Sequence, residues 1–552
     1  MILFLILLLA SILRFYDLAS LPIALFGDEV DVGYHALSLW TTGRDYMGHL
    51  LPTYIQTINE WRAPLLMYVA SPFVGILGPS NFSVRIAPAL FGVASIYLIY
   101  LLTNLLFKDY KFGKINAGHI AAIILTITPW HIHYSRMAFE STLLLFLLLL
   151  GTYLFFKKHY MFSVIPFVLT FYTYSTANLF TPLLLLTLFL IERPEFKTLT
   201  LKPFILGAIF LLPIAYHLTL GQAAGRFNII SIFNDTMITD QVVLSRTQPW
   251  VDSQSLDRIF INKFTLIGRE FTNNYLQSFS PQFLFTNGDP YFRHSISNFG
   301  ELLLVFLPFL ILGFIKTITS NDKSSKFIIT WLLIAPIGAS LTQGGGIHAT
   351  RLFVMLPPLI WIITAGIISF FDWLKNNYPK LILISISILI LLVTINLVSY
   401  WYSFSVHYRS ESSGFYDLGF SEIFKDLKVN QDDYKNIYIN NTYQPILVRF
   451  LFYTSYPPAR FQKEFTTDIP DENLTNLFSG FKLEDKYYFG QIKDTEKMGE
   501  LLNKNSLYLA VQGDEVPGDW DWTISPPEGI KAISSVKNIY QQPLFYLLTA
   551  AP

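Results

Sequence analysis

Residues 380–402 read KLILISISILILLVTINLVSYWY, an apolar run whose only charge is at its first position, Lys380. A run of about 20 apolar residues is long enough to cross the roughly 30 Å hydrocarbon core of a bilayer as a helix. This run therefore predicts a transmembrane helix, and the number of similar runs decides the fold class.

Such runs recur along the first four hundred residues. About eleven segments predict membrane helices: 1–18, 83–107, 115–132, 138–156, 160–176, 178–191, 202–219, 299–315, 327–341, 352–371 and 380–402. The first segment lacks a basic start and a small-residue cleavage site, so we interpret it as a retained helix and not as a signal peptide. The predicted fold is a mainly α, polytopic membrane protein with large outer loops.

The composition agrees with a membrane protein. Charged residues make up 14% of the 552 residues and hydrophobic residues 52%, whereas soluble domains carry about 25% charged residues. The 39 basic and 39 acidic residues balance, so a nucleic-acid partner is not expected. High hydrophobicity excludes intrinsic disorder, and the lack of cysteine excludes a disulfide scaffold.

Basic residues fix the predicted topology, because cytoplasmic loops are enriched in Lys and Arg. Five clusters fall on one face if segment 63–78 does not span the membrane: Lys108/Lys111/Lys114, Lys157/Lys158, Arg193/Lys197/Lys202, Lys316/Lys323/Lys326 and Lys375/Lys380. We therefore place 63–78 in the outer interface of the plasma membrane, as an amphipathic or re-entrant element. Residues 19–82, 220–298 and everything after about 403 then face outward.

The sequence predicts two domains. Residues 1–402 form the membrane domain, with outer loops 19–82 and 220–298, and residues 403–552 form a small extracytoplasmic α/β domain. Strand-like runs occur at Tyr438–Ile439, 487–490, 506–511 and 543–548, and TEKMGELLNK at 495–504 suggests a helix.

The first outer loop carries an acidic pair, Asp28 and Glu29, just beyond the first predicted span. A partly desolvated carboxylate at this boundary can take a proton from a hydroxyl or bind a divalent cation. Alternatively, the two residues cap the helix that follows, where the helix dipole favours negative charge. Both roles can coexist.

Two further outer turns carry charge. Arg136 and Glu140 are four residues apart at the start of the next helix, and His348 and Arg351 follow three glycines in TQGGGIHATR. Basic groups and backbone N–H donors at a membrane surface suit a phosphate. The alternatives are a surface ion pair at the first turn and a snorkelling charge at the second.

The outer segment 220–298 ends in a turn signal, Asn-Gly-Asp-Pro at 287–290. Tyr291, Arg293 and His294 follow it and are candidates to line a pocket for acceptor or sugar, although a lid without a catalytic group fits equally. Tyr34 and His35 are interpreted as packing residues. Dedicated metal-site spacing is absent, so a divalent cation near Asp28 is optional.

The order of these motifs resembles a known family. The GDE loop, WHIHYSR.AFE, FLFTNGDPYFRHS and HATR together resemble the GT-C membrane glycosyltransferases that include protein O-mannosyltransferases and bacterial aminoarabinose transferases. The resemblance covers roughly residues 1–400 and is most specific where the GDE loop and the SR.AFE turn occur together.

The resemblance implies inverting transfer of a hexosyl or pentosyl group from a polyprenyl-phosphate donor to a protein, lipid or glycan hydroxyl on the outer face. It places Asp28 as base, with Glu29 in support and Glu140 as a second acidic position. Four cationic candidates for the phosphate, or for holding the carboxylates, are Arg62, Arg136, His348 and Arg351.

Two positions depart from the family pattern. Ala63-Pro64 stands where the similar aminoarabinose transferases carry a Lys-Pro pair. Asn178 stands where many relatives carry a basic residue. The alternative function is a membrane transporter or lipid flippase, kept open by prolines within predicted spans. A structural or receptor-like protein that displays the tail would leave the acidic loop unexplained.

Overall fold

A computed structural model describes residues 1–58, 60–108, 110–193, 201–219, 230–233, 235–247, 259–472, 474–502, 505–518 and 520–551. Lys197 and much of the predicted outer segment 220–298 lie outside these residues. The described chain is mainly helical and divides into two compact units. The first comprises Met1–Leu18, Trp61–Leu66 and Ile86–Tyr408; the second comprises Ala19–Glu60, Met67–Arg85 and Arg409–Pro552.

The described residues up to Tyr402 form a series of α-helices, named in chain order. The first ten are α1 (Ile2–Phe15), α2 (Gly27–Thr42), α3 (Leu65–Leu77), α4 (Asn81–Leu106), α5 (Ala117–Ile127), α6 (Pro129–Ser135), α7 (Glu140–Phe156), α8 (Tyr160–Phe171), α9 (Ala177–Glu192) and α10 (Leu201–Thr219). The next eight are α11 (Asp235–Arg246), α12 (Lys263–Gln277), α13 (Leu307–Thr319), α14 (Lys323–Ile334), α15 (Ile337–Ser340), α16 (Ala349–Leu352), α17 (Leu356–Asn377) and α18 (Ile382–Tyr402). Four two-residue strands lie between them: β1 (Ile55–Gln56), β2 (Trp61–Arg62), β3 (Lys111–Phe112) and β4 (Ile115–Asn116).

Helices occupy the predicted spans, but the number of eleven spans is not confirmed. Three continuous helical segments of the described chain are long and apolar enough to cross a bilayer: Asn81–Leu106, Ala349–Asn377 and Pro379–Glu411. Shorter apolar helices match other predicted spans, among them α1, α5, α8 and α9. The predicted interfacial segment 63–78 contains α3, which is one of these short helices.

Prolines divide two of the predicted spans. Span 115–132 is two helices, because α5 ends at Ile127 and Pro129 begins α6. Span 327–341 is likewise divided at Pro336, between α14 and α15. Proline has no N–H to donate and its ring clashes with the preceding turn, so each new helix begins at or just after the proline.

The second unit contains a six-stranded mixed sheet with short helices. The strands are β5 (Asn436–Asn440), β6 (Phe478–Leu483), β7 (Tyr487–Ile492), β8 (Ser506–Val511), β9 (Ile530–Lys537) and β10 (Pro543–Ala550). The helices are α20 (Phe420–Asn430), α21 (Ile446–Tyr453), α22 (Pro458–Glu464), α23 (Met498–Leu501) and α24 (Gln512–Glu515), and α19 (Tyr408–Glu411) begins one residue before this unit. The strand order is β6-β7-β5-β8-β10-β9, and β5 runs parallel to both β7 and β8.

The predicted strand runs of the tail lie in β5, β7, β8 and β10, so the predicted C-terminal sheet domain is present. The predicted helix at 495–504 is shorter, a 3₁₀ turn followed by α23. The predicted boundary at 402/403 stays a prediction. By compactness, residues 409–552 group with residues 19–60 and 67–85.

Candidate functional site

Asp28 and Glu29 both lie in the first turn of α2, and their surroundings differ. Asp28 is half-buried, whereas Glu29 is fully buried. The Glu29 carboxylate accepts two bonds from Arg85, 3.0 Å from Nε to Oε1 and 2.8 Å from Nη2 to Oε2. The backbone N–H of Phe26 also points to Glu29 Oε2, at 3.3 Å. Glu29 therefore caps α2 and forms a buried bidentate ion pair.

Arg85 also holds the chain that leads into α2. Its Nη1 donates to the carbonyl of Pro22 at 2.9 Å, and its Nη2 donates to the carbonyl of Ala24. Both side chains of the Glu29–Arg85 pair have no exposed surface. The segment before Asp28 is thus fixed by one guanidinium, which the sequence analysis did not single out.

Tyr34 and His35 are both packing residues of α2. The Tyr34 hydroxyl donates to the carbonyl of Tyr456 at 3.0 Å. The His35 ring stacks on Tyr46 with centroids 3.9 Å apart, and the Tyr46 hydroxyl donates to Asp31 at 2.9 Å. These contacts anchor the helix that carries Asp28.

Arg136 binds the end of the first helix. Its Nη1 donates to the carbonyl of Leu13 at 2.9 Å, and its Nη2 donates to the carbonyls of Tyr16 and Asp17 at 2.7 and 3.3 Å. The side chain is fully buried. Because carbonyls at a helix end lack intrahelical partners, Arg136 satisfies the C-terminus of α1.

Glu140 and Arg62 occupy element ends. Glu140 is the first residue of α7 and is half-buried. Arg62 ends β2 and is also half-buried. Both belong to the first unit, whereas Asp28 belongs to the second.

Two of the three glycines in the turn of residues 342–351 are required by close packing. A Cβ on Gly345 would lie 1.8 Å from the carbonyl oxygen of Ala339, and one on Gly346 would lie 2.6 Å from that of Asn274. Arg351 Nη1 donates back to Thr342 Oγ1 at 2.6 Å. These residues build a compact turn that carries the half-buried Arg351.

Asp289, from the predicted turn 287–290, organises the loop beside this turn. Its Oδ1 accepts the N–H of Tyr291 at 2.9 Å. Its Oδ2 accepts the N–H of Ala349 at 2.8 Å and lies 2.9 Å from His294 Nδ1. The loop and the turn are thus linked through one buried carboxylate.

Asp289, His294 and His348 form the group of three metal-type ligands found among the described residues. One donor atom of each lies within 4.8 Å of the others. His348 Nδ1 is buried and has no hydrogen-bond partner among the residues that the structure describes. An oxygen and two imidazole nitrogens suit Zn²⁺ or a similar transition metal. The optional cation predicted near Asp28 thus has a candidate site elsewhere.

The ionisation of this group favours metal ligation. Burial, with help from the charge of Arg351, lowers the pKa of His348 to about 3. Burial opposes ionisation of Asp289, but the hydrogen bond and charge of His294 outweigh it and lower the pKa of Asp289. A neutral imidazole and an ionised carboxylate are the forms that bind metal.

Tyr291 and Arg293 lie on the outside of this loop. Tyr291 is 57% exposed, and Arg293 is half-buried. The backbone carbonyl of Arg293 accepts a bond from His133 Nε2 at 2.9 Å. The sequence did not single out Asp289 as a candidate ligand, because the Asn-Gly-Asp-Pro turn already accounts for an aspartate there. It did not single out Arg85, because that arginine lies within a predicted span.

Comparisons with known proteins agree with the predicted resemblance. Residues 61–219 match the family model described as dolichyl-phosphate-mannose-protein mannosyltransferase. A putative mannosyltransferase, YycA of Bacillus subtilis, is 33% identical over 91 residues, which are 16% of this chain and 12% of that protein. The matched part of this relative is therefore a small share of its length.

Solved structures show the same fold. ArnT from Cupriavidus metallidurans matches in the apo state with a TM-score of 0.54 and 11% identity. The same protein bound to undecaprenyl phosphate matches with a TM-score of 0.52 and 12% identity. Each match covers 99% of this chain and 97% of that one.

A further match is the Archaeoglobus fulgidus oligosaccharyltransferase solved with zinc and sulfate. It has a TM-score of 0.48 and 13% identity, and covers 82% of this chain and 61% of that one. The predicted resemblance to GT-C glycosyltransferases is confirmed by the family match and the ArnT-like fold. The chain has several helices long and apolar enough to cross a bilayer, and it shares the fold of ArnT.

Proposed function

We propose that the protein transfers a sugar from a polyprenyl-phosphate donor to a hydroxyl acceptor on the outer face of the plasma membrane, with inversion. The family match over residues 61–219 and the fold shared with an ArnT solved with undecaprenyl phosphate support this proposal. The acceptor is a protein, lipid or glycan hydroxyl.

The observation that carries the proposal is the position of Asp28. It lies in the first turn of α2, a helix whose entry is fixed by a buried ion pair, and it keeps part of its surface accessible. A carboxylate held in this way can take the proton of an acceptor hydroxyl as the hydroxyl attacks the anomeric carbon. The lipid phosphate leaves as an anion and needs no acid.

Cationic residues then bind the departing phosphate. Arg62, Arg351 and Arg293 supply guanidinium groups for it, while Arg136 holds the end of α1 in place. Glu140 acts as the second acidic residue, and Tyr291 lines the acceptor side. Glu29 supports Asp28 by fixing the helix start through Arg85.

A divalent cation at Asp289, His294 and His348 joins the outer loop to the glycine-rich turn. The group fits such an ion, because its carboxylate and imidazole donors lie within 4.8 Å of one another and His348 Nδ1 has no hydrogen-bond partner in the described part of the chain. Its role is structural. It holds the turn that presents Arg351.

The test compares wild type with Asp28→Asn in purified protein supplied with labelled polyprenyl-phosphate sugars. Loss of a general base is expected to lower transfer by about 10²–10⁴-fold, while thermal unfolding stays unchanged because Asn is isosteric. Tyr540→Phe, an exposed tail residue, serves as the neutral control.

Near-normal transfer by Asp28→Asn would remove Asp28 as base. A transporter or lipid flippase would instead move a solute or lipid across proteoliposomes without consuming a lipid-linked sugar. That outcome would replace the proposed function.

A further inference from the structure

The segment that begins the tail touches the entry to α2. The backbone N–H of Asp417 donates to the carbonyl of Leu25 at 2.8 Å. The rings of Tyr416 and Phe26 meet edge to face, with centroids 6.2 Å apart. Leu25 and Phe26 stand just before Asp28, so the tail contacts the chain that positions the proposed base.

A second tail residue, Arg449 of α21, completes this contact. Its Nε and Nη2 donate to both oxygens of Asp417 at 2.7 and 2.9 Å, and its Nη1 donates to the carbonyl of Tyr443 at 3.0 Å. A Cβ on Gly27 would lie 3.4 Å from Arg449 Nη2. The guanidinium therefore lies against the first residue of α2.

The start of α2 thus combines three carboxylates with two guanidiniums. Arg85 forms a bidentate ion pair with Glu29, and Arg449 forms one with Asp417. With all five groups ionised, one negative charge is left in excess. Other titratable or polar groups along α2 and the elements packed on it include Tyr416, Tyr453, Asp31, His35 and Gln462, together with Arg460, Lys463 and Glu464 of α22.

The tail pair is buried, so its charges act at short range with little screening. Asp417 and Arg449 are each 8% exposed. Burial raises the pKa of Asp417, Arg449 opposes this, and the charges of Glu29 and Asp28 add to it. Interactions between charges are reciprocal, so Asp417 and Arg449 also act on Asp28, in opposite directions.

We propose that Asp417 and Arg449 are positioning residues for Asp28. They fix the entry to α2, and their charges contribute to the electrostatic field at the Asp28 carboxylate. The tail is thereby part of the catalytic machinery. This inference rests on the proposed role of Asp28 as base. The alternative is a pair that only joins the tail to the loop.

The test measures the pH profile of kcat/KM for Asp417→Asn, Arg449→Gln and the double variant. Asp417→Asn removes a negative neighbour and leaves Arg449 charged, which favours ionised Asp28 and shifts the acidic limb to lower pH by about one pH unit. Arg449→Gln shifts the limb to higher pH by a similar amount. The double variant removes no net charge and returns the limb close to wild type.

Asp521→Asn is the matched control, because it makes the same charge change in the same unit, at a 3.3 Å pair with Lys537 on the edge strand β9. Its profile is expected to match wild type. Equal shifts of the same sign in both single variants, or no shift, would overturn the inference.

Arg449→Lys covers the case in which a single variant does not fold. Lysine keeps the charge but cannot form the fork, so kcat is expected to fall about tenfold, with the KM for the donor and the pH profile unchanged. An unchanged kcat would overturn the inference. Full activity of Asp28→Asn would refute the proposed function, whereas an inactive Asp28→Asn with unshifted tail variants would refute only this inference.

Discussion

The start of α2 and the loop-and-turn region around Asp289 differ in the groups that compensate their buried carboxylates. At α2, Glu29 and Asp417 are each held by an arginine fork, so charge is balanced by protein alone. Around Asp289, the carboxylate meets imidazoles and backbone N–H groups, and the nearby Arg351 bonds Thr342 instead. The first region is complete as a protein structure, whereas the second has the donor set of a cation site.

The difference predicts which region depends on a partner charge and which on an added ion. Breaking a buried pair is costly because it leaves an uncompensated charge. An unfilled cation site instead loses only the stabilisation that the ion would give.

The largest effect is expected at the buried fork. Glu29→Gln leaves Arg85 charged and buried, and we expect the free energy of unfolding to fall by about 3–5 kcal/mol. Unfolding by SDS in mixed micelles measures this change. The double variant Glu29→Gln/Arg85→Met removes both charges and is expected to recover part of the loss.

Asp485→Asn is the control for this fork, since the pair of Asp485 with Lys482 is exposed. Its unfolding should not differ measurably from wild type. If Glu29→Gln matched this control, the Glu29–Arg85 pair would not hold the entry to α2.

The next effect concerns the proposed cation site. Zinc added to metal-free protein is expected to stabilise wild type by about 2.7 kcal/mol when free zinc is 100 times the Kd. His348→Ala should lose this gain together with bound metal, because it removes one of three ligands. Elemental analysis and thermal unfolding measure the two quantities.

His407→Ala, outside the Asp289 group, controls for non-specific loss of a histidine. Zinc that stabilised His348→Ala as much as wild type would show that the ion binds elsewhere. The loop and turn would then be joined by hydrogen bonds alone.

The smallest effect comes from a buried carboxyl with neither an arginine fork nor an imidazole bond. Glu515 accepts bonds from the hydroxyl of Tyr508 and the N–H of Val511. Burial raises its pKa from 4.5 to about 7, against the effect of these bonds. The folded state therefore keeps a proton that the unfolded state releases between these pH values, and stability falls as pH rises through this window.

Glu515→Gln removes this titration. The variant is expected to unfold at a similar temperature to wild type near pH 4 and to be more stable near pH 8, by about 2–3 kcal/mol. Thermal unfolding at the two pH values measures the difference. A variant with the same pH dependence as wild type would place the titration on another group.

The sequence identifies many residues of the candidate site, but it does not show what each of them contacts. The sequence predicts that Arg136 binds phosphate or holds the carboxylates, and the structure shows it bonded to the carbonyls that end α1. The glycines before His348 suggested N–H donors, yet Gly345 and Gly346 are required by close packing. Each of these roles depends on a neighbour that is distant along the chain.

The sequence by itself determined that the chain is a helical membrane protein with a sheet-containing tail, and it located Asp28 at the start of the helix that follows the first predicted span. Hydropathy, strand patterning and capping are local properties, so each can be recognised from a short stretch of sequence. Only the tertiary structure decided which charges meet. Glu29 and Arg85 are 56 residues apart, Asp417 and Arg449 are 32 apart, and Asp289 and Ala349 are 60 apart. Such pairings depend on how helices and loops pack, because a buried charge is stabilised by whichever partner the fold brings within hydrogen-bond distance.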